Sequence, residues 1–201
     1  MNPVEVRPLG RAETAARLDE IARLRIEVFR AFPYLYDGDA AYERRYLETY
    51  LRSAGAVVIG AFDGEAPRGK LVGAATASPL ADHFDEFAGP FAAHGLEPAE
   101  WFYFGESVLK ARYRGSGVGV RFFEEREKAA LAQGFRRCVF SSVVRPAGHP
   151  ARPQDYAPLD AFWERRGYRR IAGLSTGFSW RDIGDAAETV KPMEYWAKTL
   201  A

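Results

Sequence analysis

The sequence holds a single cysteine, Cys138, so it has no intrachain disulfide, which fits a reducing compartment. Nor does it carry an excess of either charge. The 28 Lys and Arg stand against 27 Asp and Glu, and a formal net charge of +1 gives no summed field to draw the chain to nucleic acid or an anionic membrane. Charge-free runs such as Ala54 to Phe62 fall far short of the ~18 to 20 apolar residues that a membrane span needs. The opening Met1-Asn2-Pro3-Val4-Glu5-Val6 lacks a basic patch followed by an apolar segment, so no signal peptide is read there and the cytoplasm is the expected location. The histidines His83, His94 and His149 are too widely spaced for a ligand motif, so no metal is expected. Repeats, linkers and low-complexity tracts are missing as well. What remains, 201 residues with 47% hydrophobic and 14% aromatic content, suits one folded domain over 1–201.

The pattern along the chain mixes strands and helices without regular alternation, an α/β chain of the α+β kind. Val4 to Arg7 alternates as a short strand, closed by Pro8-Leu9-Gly10. From Glu13 on, Leu18, Ile21, Leu24, Arg25, Val28 and Phe29 recur at helical spacing up to Pro33. Asp39 reads as the N-cap of a second helix carrying Tyr42, Tyr46, Leu47, Tyr50 and Leu51. Ala56 to Phe62 and Lys70 to Thr76 form a hairpin about Asp63-Gly64 and Pro67-Arg68-Gly69. An irregular helical insertion over 79–98 precedes an aromatic central strand over 100–109, in which Gly105 marks a bulge. A helix over 119–133, a buried strand over 137–144, a proline-rich loop, a short helix over 159–166 and a strand over 168–178 follow. The chain closes with a strand, or a strand and helix together, over 189–200.

Between the central strand and the helix after it lies Arg114-Gly115-Ser116-Gly117-Val118-Gly119. Glycines at such a junction let backbone N–H groups converge on an anion while the helix N-terminus adds partial positive charge, so the segment reads as a phosphate cradle. A P-loop string is absent, and the dinucleotide fingerprint fails because Val120 stands where its last glycine belongs and Cys138-Val139-Phe140-Ser141 offers no acidic residue for a ribose. What Arg114, Gly117 and Gly119 do match is R/Q-x-x-G-x-G/A, and the segment resembles the pyrophosphate-binding turn of the GNAT superfamily of acyl-CoA-dependent N-acyltransferases. The strand from Ser107 into that turn, the Phe162-to-Tyr168 helix end and the stretch from Met193 to Leu200 are also similar to the family, so the resemblance spans nearly the whole chain.

That resemblance implies a mixed, curved sheet splayed at its middle and flanked by helices, with acetyl-CoA as cosubstrate and its pantetheine arm in the cleft. Val108 and Leu109 would meet that arm by their main chain, the Leu109 N–H polarising the thioester carbonyl. Arg114, Gly115, Ser116, Gly117, Val118, Gly119 and Val120 would face the diphosphate. An alkylamine with a pKa of ~10 must lose a proton before it attacks, and Glu106, the acid within the central strand, is the candidate base or cation-binding group. Many relatives protonate the departing thiolate with a tyrosine four residues before the late glycine. Here that residue is Trp163, which leaves Tyr156, or less readily His149, for the task. Phe29, Phe32, Tyr34, Tyr36, Tyr103, Arg145 and His149 are the candidate acceptor-site residues. Cys138 reads as buried filler rather than a nucleophile, and the serine-hydrolase elbow fails because Leu109 replaces its last glycine. The expected activity is direct acetyl transfer to a primary amine of a small molecule, the alternative being a silent acyl-CoA sensor. The exposed strand edges of such a sheet suit a homodimer.

Overall fold

The computed structural model describes residues 4–64 and 69–201, so the turn expected at Pro67 and Arg68, and the reading of Met1 to Pro3, lie outside the described residues. Strands β1 (Val4–Leu9), β2 (Val57–Asp63), β3 (Lys70–Pro79), β4 (Trp101–Leu109), β5 (Arg137–Val143), β6 (Arg169–Trp180) and β7 (Thr189–Thr199) form one sheet in the order β1-β2-β3-β4-β5-β7-β6. The helices are α1 (Arg11–Ala16), α2 (Leu18–Phe29), α3 (Ala40–Arg52), α4 (Asp85–Ala93), α5 (Val118–Ala132) and α6 (Asp160–Glu164).

Several boundaries differ from those expected. Pro8 and Leu9 belong to β1, which a proline tolerates because the strand is at the sheet edge. The first helix begins at Arg11 and breaks at Arg17, whose backbone (φ −106°, ψ 7°) leaves the helical region. Residues 189–199 are strand throughout, held between β5 and β6. Asp39 does cap α3, its carboxylate accepting the Tyr42 N–H at 2.7 Å.

All adjacent strands run antiparallel except β4 and β5. That parallel pair is joined only over Trp101–Tyr103 and Arg137–Val139, after which β4 continues to Leu109 along β3 and β5 to Val143 along β7, no longer paired with each other. The sheet therefore opens at its middle. On one face, α2 and α3 pack Ile21, Leu24 and Leu47 against Val58, Phe62 and Val108. Phe87 and Phe91 of α4 join Trp101, Tyr103 and Tyr195 further along. On the other face, α5 sets Phe122 against Ile59 and Val72, and Phe123 against Phe104, Cys138 and Tyr168.

One irregularity governs the site. Ala75 pairs with Ser107 and Ala77 with Phe104, so Gly105 and Glu106 together stand opposite Thr76. This is the expected bulge, and it changes the parity of β4. Without it Glu106 would share the α5 face with Phe102 and Phe104. With it, Glu106 takes the face of Tyr103 and Val108, and its N–H donates to Thr76 Oγ1 at 3.3 Å.

Candidate active site

Below the point where β4 and β5 part lies a cavity of about 80 Å³. Its floor is Glu106 and Gly105 of β4 with Ser141 of β5, and its walls come from α2, α3, the loop between them and β6. Phe29, Tyr34, Tyr36 and Tyr103, four of the candidate acceptor-site residues, line it. Arg25, Glu43, Tyr42, Tyr46, Phe87, Phe178 and Trp180 line it too, and these sequence reasoning missed. Arg25 had been legible only as one position of an apolar helical stripe. A charged residue on such a stripe requires a buried partner, and Glu43, Leu47 and Tyr50, at spacings of four and three along the next helix, held the matching signal.

Arg25 joins the two carboxylates. Its Nε donates to Glu43 and its Nη1 lies 2.7 Å from Glu106 Oε2, with all three side chains at most 8% exposed. Burial works against its charge, yet Glu106 and Glu43 hold its pKa well above the ordinary arginine value. Its guanidinium also lies over the rings of Tyr46 and Phe29, 4.2 and 5.1 Å from their centroids. The group thus sets two acids against one guanidinium.

Glu106 is further held by a chain of hydrogen bonds. The Phe84 N–H donates to His83 Nδ1 at 2.9 Å, which puts the ring proton of a neutral His83 on Nε2. Burial, and then the charge of Arg25, lower the His83 pKa to about 4, so the ring is neutral near pH 7. Nε2 lies 3.2 Å from the Tyr50 hydroxyl, that hydroxyl 3.3 Å from the Tyr46 hydroxyl, and Tyr46 donates to Glu106 Oε2 at 3.3 Å. Burial raises both phenol pKa values, keeping the two tyrosines protonated. Glu106 Oε1, by contrast, is buried without any hydrogen-bond partner.

From the other side, the buried guanidinium of Arg126 on α5 donates to the carbonyls of Thr76 and Glu106, at 3.3 and 3.2 Å, and to Ser107 Oγ at 2.8 Å. It thereby fastens the bulge, and burial lowers its pKa to about 10.

At the far end of β4, Tyr113 is buried and donates to Asp63 at 2.5 Å, while Ser116 Oγ donates to the Tyr113 carbonyl at 2.5 Å. Gly115 and Gly117 adopt φ of 77° and 84°, a conformation that side chains disfavour, and Gly117 directly precedes α5. The turn from Arg114 to Gly117 is exposed, and the first amides of α5, at Val118 and Gly119, have no carbonyl one turn earlier to bond. No side chain fills the space where a Cβ would stand at Gly115 or Gly117, so an anion has room to approach the backbone. These residues fit the diphosphate of a coenzyme A.

The remaining candidates sit elsewhere. Arg145 does not border the cavity. It donates to both carboxylate oxygens of Asp182 and to the carbonyls of Pro33 and Tyr34, tying the α2–α3 loop to the end of β6. His149 and Tyr156 stand against the ring of Phe32, with centroids 5.7 and 4.6 Å away. Trp163 packs on Phe140 and Trp196, both at 5.1 Å. Cys138 is buried, and that burial pushes its thiol up to about 12. Among the described residues no cluster of three or more His, Cys, Asp and Glu side chains is placed to hold a metal ion, and no helix is long and apolar enough to cross a membrane.

Known structures share this architecture. An acetyltransferase of the GNAT family from Streptococcus pneumoniae superposes with a TM-score of 0.57 at 14% identity, over 98% of this chain and 100% of that one. The fold is that of the GNAT acetyltransferases. A Salmonella typhimurium protein held with its cofactor acetyl-CoA matches this GNAT-fold chain with a TM-score of 0.60 at 13% identity, over 100% and 95% of the two chains. An aminoglycoside 6'-acetyltransferase type Ii gives 0.58 at 15%, over 98% and 97%. No family sequence model matches the chain, and no curated protein matches it by sequence.

Proposed function

We propose that this GNAT-fold protein transfers an acetyl group from acetyl-CoA to a primary amine of a small molecule, by direct attack while both are bound. The observation that carries the proposal is the unpartnered Oε1 of Glu106, buried in the cavity at the parting of β4 and β5. A carboxylate oxygen so placed accepts a proton from an incoming ammonium, while Arg25 and Tyr46 hold the other oxygen still.

The exposed turn from Arg114 to Gly117 and the amides at the start of α5, with the charge of Arg114, would hold the diphosphate through the stretch from Gly115 to Val120. Past Tyr103, β4 has no partner on its β5 side, so Val108 and Leu109 would lay their backbone along the pantetheine arm, with the Leu109 N–H directed to the acyl oxygen. When bound, acetyl-CoA supplies the acyl carbon, whose C–S bond is exchanged for a C–N bond to the amine as the sulfur departs as a thiol. Tyr156, whose phenol burial raises above its ordinary value, keeps its proton at neutral pH and is the proposed donor to that sulfur. Tyr103 and Ser141, joined through their hydroxyls at 2.8 Å, brace the opening between the strands.

A second reading, an acyl-CoA sensor without turnover, draws on Trp163, a half-buried indole packed against the core that offers no acidic proton. Thermal unfolding with added ligand tests both. Acetyl-CoA is expected to raise the melting point while NAD and ATP do not, because a ligand of the native state alone stabilises it. Amine-dependent thiol release then supports the transferase, whereas stabilisation without release from any amine supports the sensor. No stabilisation by acetyl-CoA would overturn both.

A further inference from the structure

The cavity is more selective than a general amine site. We infer that the acceptor is a compact monoamine with an apolar, ring-sized body and no carboxylate, its ammonium seated on Glu106 Oε1. The inference rests on the acetyl-transfer reading and adds the class of acceptor.

Charge is the first argument. Arg25, Glu43 and Glu106 are buried together, two acids to one guanidinium, and Oε1 of Glu106 is the oxygen left without a partner. One cation completes the group. The phenols of Tyr36, Tyr46 and Tyr50 around it keep their protons, and His83, linked to it through Tyr50 and Tyr46, is neutral. A second ammonium, as in a diamine, would sit among apolar rings without a counter-ion, and stranding a charge there is costly.

A carboxylate fares no better. The nearby cations are those behind Trp180, and both are spent. Arg145 gives its donors to Asp182, Pro33 and Tyr34, and Lys191 gives its own to the Trp180 and Thr189 carbonyls and to Thr189 Oγ1. Arg25 is divided between Glu43 and Glu106. An amino acid would bring its carboxylate against two buried acids that already share the one guanidinium of Arg25.

The walls describe the rest of the ligand. Phe29, Tyr34, Phe87, Phe178 and Trp180 are ring surfaces, and Phe87 and Phe178 stand 5.2 Å apart. Such faces favour an alkylammonium and an apolar body together. The space of about 80 Å³ is small and open to one side, which suits the ammonium end of a compact amine whose body lies along these rings.

The experiment measures thiol release from acetyl-CoA by the full chain with phenethylamine, phenylalanine and putrescine at matched concentrations, together with calorimetric titration of each amine into the wild type and Glu106→Gln. The expected result is a kcat/KM for phenethylamine at least ten-fold above the other two, with saturable binding that Glu106→Gln weakens. Equal or greater kcat/KM for phenylalanine or putrescine overturns the inference and leaves the transferase reading standing. Saturable, Glu106-dependent binding of phenethylamine without thiol release from any amine overturns the transferase reading and supports the ligand class. Neither binding nor release of thiol with phenethylamine overturns the inference.

Discussion

The hydroxyl of Tyr50 occupies the place where Gly105 would carry a side chain. A Cβ built on Gly105 would lie 2.0 Å from that oxygen and 2.6 Å from Thr76 Oγ1. The glycine of the bulge thus admits the phenol that links His83 to Tyr46, and the same bulge brings Glu106 into the cavity.

Gly105→Ala is therefore expected to lose about 1 to 3 kcal/mol of stability through overpacking. Combining it with Tyr50→Phe, which removes the obstructing oxygen, should cost less than the sum of the two single changes. Denaturant titration of the four proteins checks this. Strict additivity would mean that Tyr50 and Gly105 do not compete for space.

Arg25 neutralises two buried acids at once, and Arg25→Met leaves both without a cation. The expected loss is about 3 to 5 kcal/mol, the range for breaking a buried ion pair by removing one partner. Combining Arg25→Met with Glu43→Gln should recover part of that loss. A single variant as stable as the wild type in urea would show that the three groups are not buried together.

His83 gives the fold a pH dependence. Its pKa is 6.5 in an unfolded chain and about 4 here, lowered by burial and by Arg25. Between these values the unfolded chain binds the extra proton, so its contribution to stability is intact above pH 6.5 and declines as pH falls towards 4. The limiting slope is about 1.4 kcal/mol per pH unit. The His83→Asn variant should show a shallower decline across that window in pH-dependent urea unfolding, and an unchanged slope would remove His83 from the account.

How much of this was legible in the sequence varies with the physics involved. The glycine turn could be read because positive φ and a helix start each leave a local residue signature, at Gly115, Gly117 and Val118. Glu106 could be singled out because an acid inside an aromatic strand needs buried partners, which Arg25 and Tyr46 supply. Arg25 and Glu43 each stand on the buried stripe of their helix, a signal of buried charge in the pattern, but only the packing of α2 against α3 unites them as a pair. Arg145 shows the converse. Its position on the loop after β5 suggested an acceptor contact, but Asp182, 37 residues away, claims its guanidinium.

Cys138, whose thiol burial raises to about 12, should resist iodoacetamide in the folded chain at pH 8 and react only on unfolding. Cys138→Ala should retain acetyl transfer. Rapid alkylation of the native protein with loss of activity would reopen a covalent route.

The most direct test is Glu106→Gln, which keeps the shape of the side chain and removes its capacity to take a proton. Steady-state thiol release and acetyl-CoA affinity are measured on the same preparation. The account predicts unchanged acetyl-CoA affinity with kcat lower by roughly 100-fold or more, the scale of a lost general base. A kcat equal to that of the wild type would contradict it.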